Sequence, residues 1–280
     1  MSAPVPAPEV RAGWDCHAHV FGPYARYPLT PERAYTPPEA PLPAYRAHLE
    51  SLGLGQGVLV HPSAYGLDHR LVRDSLAAEP GLRGVLVAQA GTLPSLRGLR
   101  DAGVRALRYS ARGAAVNFVG SAGFEELEAM AGALADAGLH AELWTDRHVL
   151  PGIADRIRAL PVPVVVDHMG GFDPEAGIDA PGFRCLRALL AEGRIWVKLC
   201  AYRNLLALPD RGRWAEALAP FQRALQRDNP RQLVWGSDWP YLNVKEAPDG
   251  AFLLALLRES AGEDGAVRAI LEDNPARLYG

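Results

Sequence analysis

Short apolar runs recur along the chain, and each is followed by a stretch with helical spacing. The runs read WDCHAHV near 14–20, GVLVHP at 57–62, RGVLVAQ at 83–89 and VRALRYS at 104–110. They continue as HAELWTD at 140–146, VPVVVDHMGG at 162–171, IWVKLCAYR at 195–203 and QLVWGSDWP at 232–240. Between them the recurrence of apolar residues predicts helices over 44–52, 68–78, 93–102, 124–137, 150–160, 183–192 and 214–227. Two more helices, 251–261 and 264–272, close the chain. Continuous valine- and leucine-rich strands separated by helices indicate parallel pairing with both faces covered. Eight such units predict an α/β fold of the (β/α)8 TIM-barrel type in a single domain. An open doubly wound sheet is the competing arrangement, but no GxGxxG opens a helix here. Two connections are too long to be simple links: the proline- and tyrosine-rich stretch 24–43, which reads as a lid, and the glycine-rich stretch 111–123.

Composition narrows the partners. At 280 residues the chain suits one barrel, spanning 12–280, preceded by a proline- and alanine-rich arm over 1–11 that should be loosely held. A formal net charge of −3 supplies no attraction for nucleic acid or an anionic membrane. No apolar run is long enough to cross a bilayer, and the first residues lack the pattern of a signal peptide. Cys16, Cys185 and Cys200 form no close-spaced pair, which fits a reduced, cytoplasmic enzyme acting on a small molecule.

Polar residues gather where the strands should end. In WDCHAHVFGP the alternation of a strand places Asp15, His17 and His19 on one face. Two imidazoles side by side suit a metal ion or the polarisation of a carbonyl; a bare HxH is also compatible with two solvent-facing side chains. The other strand ends carry His61, Ser63 and Tyr65, then Arg108, Asp146, His168, Arg203 and Asp238. Alternation with Val164 and Val166 turns His168 inward, and alternation with Val234 and Gly236 does the same for Asp238. In barrels of this type the strand carboxyl ends form the active site.

The motifs DCHAHVFGP, YPLTPERAYTPPEA, VVVDHMG, LVWGSDWPYLN and DNPARLY together resemble the amidohydrolase superfamily, and within it the 2-pyrone-4,6-dicarboxylate lactonases. The resemblance extends over nearly the whole chain after the arm. It implies hydrolysis of a lactone ring, with His17, His19, His168 and Asp238 at the catalytic centre. Asp238 would be the general base toward water, and the three histidines would polarise the carbonyl. On metals the resemblance leaves two readings: no cofactor, or a single divalent ion, zinc first, on His17, His19 and Asp238. A binuclear centre would need a bridging lysine or glutamate where Arg108, Tyr109 and Ser110 stand.

For substrate binding the resemblance implies arginines at Arg108 and Arg203, with Trp144 in place of a tyrosine. Two further arginines of the pattern are Ala114 and Gly171 here, and Arg112 is a nearby substitute. Fewer guanidinium forks point to a different lactone, such as one with a single carboxylate. His61, Ser63 and Tyr65 are candidate pocket residues, while Arg108 and Arg203 have structural ion pairs as their alternative role. Lys198 is expected to face outward or to pair with a carboxylate, Asp167 to orient a neighbour, and His48, His69, His140 and His148 to lie at the surface or at helix ends. A metal-dependent decarboxylase is the alternative enzyme, but it would want a histidine where Glu142 and Trp144 stand. A non-enzymatic barrel would not need His17, His19, His168 and Asp238 together.

Overall fold

The computed structural model describes residues 12–92, 96–113 and 119–280. The expected arm, the first three residues of the expected helix 93–102, and Ala114 fall outside these.

The barrel is built from β1 (Trp14–Ala18), β2 (Gln56–Val60), β3 (Leu82–Leu86), β4 (Val104–Ala111), β5 (His140–Thr145), β6 (Val164–Val166), β7 (Ile195–Leu199) and β8 (Leu233–Trp235). They pair in parallel in chain order, β1 to β8. The sheet closes just beyond its ends: Asp238 N donates to His17 O at 2.8 Å, and His19 N donates to Trp239 O at 2.8 Å. Around it run α1 (Leu42–Ser51), α2 (Arg70–Ala78), α3 (Phe124–Asp136), α4 (Leu150–Ala159), α5 (Pro181–Ala191), α6 (Tyr202–Leu205) and α7 (Trp214–Asp228). The chain ends with α8 (Gly250–Ala261), α9 (Asp264–Arg268), a π turn and α10 (Asn274–Tyr279).

The third helix does not form as the periodicity predicts: residues 96–103 are a run of turns. Leu96 and Leu99 still pack on the core, so their apolar spacing marks contact rather than helix.

Two apolar layers result. The helices bury leucines such as Leu127, Leu134, Leu186 and Leu225 against the outside of the sheet. Inside the barrel Trp14, Cys16, Val58, Val60, Val85, Ala106 and Val234 pack around the ring of Tyr279 from the last helix. The terminal DNPARLY is therefore structural. Asn274 Nδ2 donates to Pro230 O and Leu233 O at 2.9 and 2.8 Å, fixing the start of β8, while Tyr279 fills the barrel's interior.

One irregularity aims the site. Asp15 pairs with Gly57 but Ala18 with Leu59, so β1 accommodates an extra residue against β2. Such a bulge breaks strict alternation and re-aims side chains. Asp15 faces the seam and not the barrel axis: its carboxylate accepts Ser237 N at 2.8 Å, Ser237 Oγ at 2.6 Å and His17 N at 3.2 Å. His17 turns inward to meet Lys198. The expected shared face of Asp15 and His17 is thus corrected.

Candidate active site

Sharp backbone turns carry two of the four central groups. His168 and Asp238 do not end strands, as alternation suggests, because β6 and β8 stop at Val166 and Trp235. Both adopt left-handed backbone, with φ of 51° and 59°. That region is uncommon for a residue with a side chain and is often found at functional sites. Gly236 allows the approach: a Cβ there would lie 2.6 Å from His17 Cβ and 2.7 Å from Cys200 Sγ.

These turns bring His17, His19, His168 and Asp238 together. His19 Nε2 lies 3.4 Å and His17 Nε2 3.7 Å from Asp238 Oδ1, and the His17 and His168 rings are 4.9 Å apart. Asp238 is also paired with Arg203 through Nε, and Arg203 donates to Leu242 O at 3.2 Å. Burial alone would raise the Asp238 carboxyl, but the Arg203 guanidinium beside it holds it well below the ordinary carboxylate range. His168 is pushed down to about 4, chiefly by burial. His17 is held well below 6.5 by burial and by Lys198 beside it.

Above these groups opens a cavity of about 230 Å³, walled by His19, His168, Asp238, Arg203, Arg108 and Trp144 among others. His61 and Ser63 also line it, as do Tyr35 from the long stretch after β1 and Gly120 to Ala122 from the stretch after β4. Strand-end reasoning does not single out Tyr35, although its place in the lid-like segment is a usable signal. Its hydroxyl lies against Ser63, and it is near both pocket arginines. Asn243 and Leu242, just past the eighth strand end, escape the same reasoning.

Other expected pocket residues lie elsewhere. Tyr65 is not on the cavity wall; its hydroxyl accepts Gly22 N at 2.7 Å and its ring stacks on Phe21. Arg112 is not on the wall either: it covers the Trp144 ring at 4.4 Å and lies 3.9 Å from Asp146. His17 lies beneath the cavity, fully buried. His140, expected near the surface, is buried beside Tyr279, because β5 begins with it inside the barrel. Lys198 is wholly enclosed, paired with Glu142 at 2.6 Å. Asp167 takes Arg108 through Nε at 2.9 Å and Nη2 at 2.8 Å.

The spacing of the central side chains suits a divalent ion, provided that His17 carries no proton on Nε2. Ligand atoms of His17, His19 and Asp238 all lie within 4.8 Å of one another, and so do those of His17, Asp167 and His168. His17 Nε2 and Asp238 Oδ1 are buried with no hydrogen-bond partner among the described residues. His19 donates from Nδ1 to Val60 O at 2.8 Å, so its neutral form turns a lone pair at Nε2 toward Asp238.

Buried neutral histidines have a measurable consequence. Burial takes His61 and His140 down to about 3 and His168 to about 4. The unfolded chain binds protons to these groups first, so stability present above pH 6.5 drains away as the pH falls toward 4. Asp15, raised to about 6 by burial, and Glu142, also raised by burial, work in the opposite sense, but His17, His48 and His69 are lowered too and add to the other three. A tenfold loss of proton affinity on folding is worth about 1.4 kcal/mol per group, so the thermal midpoint should drop steeply between pH 6.5 and 4.5. A level midpoint across that range would show that the histidines are not held neutral.

The parallel eight-stranded barrel thus gathers histidines and an aspartate just past its strand carboxyl ends, where barrels of this type carry their active sites. The Amidohydrolase family model matches residues 14–280, and the chain belongs to that family. It is 34% identical to a 4-sulfomuconolactone hydrolase of Rhizobium radiobacter, over 100% of this chain and 93% of that protein. It is 33% identical to a 2-pyrone-4,6-dicarboxylate hydrolase of Comamonas testosteroni, over 95% of this chain and 89% of that one. Among solved structures, a putative 2-pyrone-4,6-dicarboxylic acid hydrolase of Pseudomonas putida superposes with a TM-score of 0.83 at 26% identity, covering 96% of this chain and 98% of that one.

Proposed function

We propose that this protein hydrolyses the ring ester of a small carboxylated lactone. The observation that carries the proposal is the convergence of Asp238, His19, His168 and two arginines on one cavity, in a chain similar over nearly its whole length to lactone hydrolases. Asp238 Oδ1, with no hydrogen-bond partner among the described residues, accepts a proton from the attacking water. His19 has committed its Nδ1 proton to Val60, so in neutral form it accepts a hydrogen bond from that water instead of polarising the carbonyl. This revises the role expected for it. His17 and His168 are left to donate to the carbonyl oxygen as negative charge develops there. The water oxygen bonds to the carbonyl carbon, the ring C–O bond breaks, and Asp238 returns its proton to the departing oxygen. The product is an opened acid.

Were His17 to give up its Nε2 proton, a divalent ion on His17, His19 and Asp238, zinc by its taste for nitrogen and oxygen donors, would instead supply Lewis-acid polarisation of the carbonyl. No helix of the described residues is long and apolar enough to cross a membrane, and a dissolved small molecule fits the cavity.

The charges at the site favour a lightly charged substrate. Arg108, Arg203 and Lys198 are matched by Asp167, Asp238 and Glu142. No surplus buried cation is left among these groups, which disfavours a dianion and leaves a substrate carboxylate to donors that the ion pairs do not use. Nε and Nη2 of Arg108 are taken by Asp167, which leaves Nη1 for a substrate carboxylate. Arg108→Met should therefore raise KM for an acidic lactone far more than for a neutral one. Equal rises for both would mean that Arg108 serves only Asp167. The reading as a whole is tested by turnover of purified protein on muconolactones, pyrones and sugar lactones, with and without chelator. Failure on all of them would refute it.

A further inference from the structure

Beneath the cavity lies a buried chain of charged and polar groups that the proposed reaction does not touch. Lys198 Nζ donates to Glu142 Oε2 at 2.6 Å, lies 3.4 Å from Asp167 Oδ1 and is 3.3 Å from His17 Nδ1. The other oxygen of Glu142 accepts the Tyr279 hydroxyl at 2.8 Å. Tyr279 is itself pinned, because Arg83 and Arg105 donate from Nε to its backbone oxygen at 3.0 and 2.9 Å. The side chains of Lys198, Glu142 and Tyr279 are fully enclosed.

With two carboxylates this close, Lys198 is an ammonium and can only donate. A neutral imidazole has one donor and one acceptor nitrogen, so the nitrogen that faces the ammonium is the acceptor. The other arrangement would send the Nδ1 proton to Asp167 Oδ1, 3.4 Å away. At 3.4 Å that pair is long for a hydrogen bond to a carboxylate and is an ion-pair contact first, whereas the Lys198 contact has hydrogen-bond geometry. We propose that Lys198, held by Glu142 and Tyr279, is a positioning residue that keeps the proton of His17 on Nε2. His17 is then a donor into the reacting space and a poor metal ligand through that nitrogen. Metal-bound histidines ordinarily give their second N–H to a carboxylate or carbonyl, and a cation in that place does the reverse. An ammonium 3.3 Å from Nδ1 leaves no room for a proton on that nitrogen, so a single ring proton is at issue.

Only the donor role rests on the lactonase reading; the proton's position does not. The test is long-range ¹H–¹⁵N NMR of histidine-labelled protein, with His17 assigned by its loss in His17→Gln. The wild type is compared with Lys198→Met/Glu142→Gln, which removes both charges at once and leaves an amide oxygen for Tyr279. The wild type should show the Nε2–H form and the double variant the Nδ1–H form, donating to Asp167. Calorimetry with zinc alone should then show affinity rising about 10–100-fold in the double variant. An Nδ1–H wild type overturns the proposal, and so does unchanged zinc affinity in a folded double variant. If that variant does not fold, the wild-type spectrum decides. An Nε2–H wild type that turns over no lactone supports this proposal and refutes the lactonase reading.

Discussion

Asp238→Asn should lower kcat by about 10²–10⁴-fold, the usual worth of a positioned general base. The substitution isolates that role well. Asp238 has a left-handed backbone, which asparagine tolerates better than most residues, so the turn after β8 should survive. The amide oxygen can still face Arg203, while proton acceptance is gone. Wild-type kcat/KM should show no loss from Asp238 protonation near neutral pH, because Arg203 keeps that carboxyl ionised to well below its ordinary range. Removing the guanidinium reverses this. In Arg203→Met the carboxyl rises, and activity should be lost at a higher pH than in the wild type as the pH is lowered. A folded Asp238→Asn enzyme with near-native turnover would exclude the mechanism; a loss restored by added metal would make Asp238 chiefly a ligand.

The barrel was legible because its strands are buried on both faces and therefore read as unbroken apolar runs. The residues at their ends could be named for the same reason. What alternation could not supply was direction at the places where the chain leaves regular geometry. His17 faces inward because β1 carries an extra residue, and His168 and Asp238 do so because left-handed turns follow β6 and β8. The period-two rule reached the right side for those residues by a route the backbone does not take. It placed Asp15 wrongly. Tyr65 looked like a pocket residue because it follows a strand, but a short turn from Ser63 rotates it onto Phe21. Lys198 and Glu142 sit on different strands, and their pairing at the barrel axis depends on register across β5, β6 and β7, which a single sequence does not display. Tyr35 lay inside a segment whose length suggested function, yet nothing local marked it above Tyr24 or Tyr27.

Asp15→Ala should be among the most destabilising single changes outside the apolar core, at about 3 kcal/mol or more, because each buried orphan donor costs about 1–3 kcal/mol. The Asp15 carboxylate accepts Ser237 N, Ser237 Oγ and His17 N where the barrel closes, and it is fully buried. Alanine strands these donors out of reach of water. Function should suffer with stability, since Ser237 and His17 flank the seam that places Asp238. Asp15→Asn separates packing from charge. Its amide oxygen can take the two backbone donors, and Ser237 Oγ, which already accepts Trp239 N at 3.0 Å, can rotate to meet the amide nitrogen. Burial raises the Asp15 carboxyl from 3.8 to about 6, so the folded state holds this proton more tightly than the unfolded chain. The wild type therefore loses stability from this group as the pH rises from about 4 to 6, whereas Asp15→Asn should lack that component. Urea titrations at pH 5 and pH 7 should find Asp15→Asn gaining on the wild type at the higher pH, with Asp15→Ala well below both throughout. An Asp15→Ala protein as stable as the wild type would show that the seam is held by its backbone bonds alone.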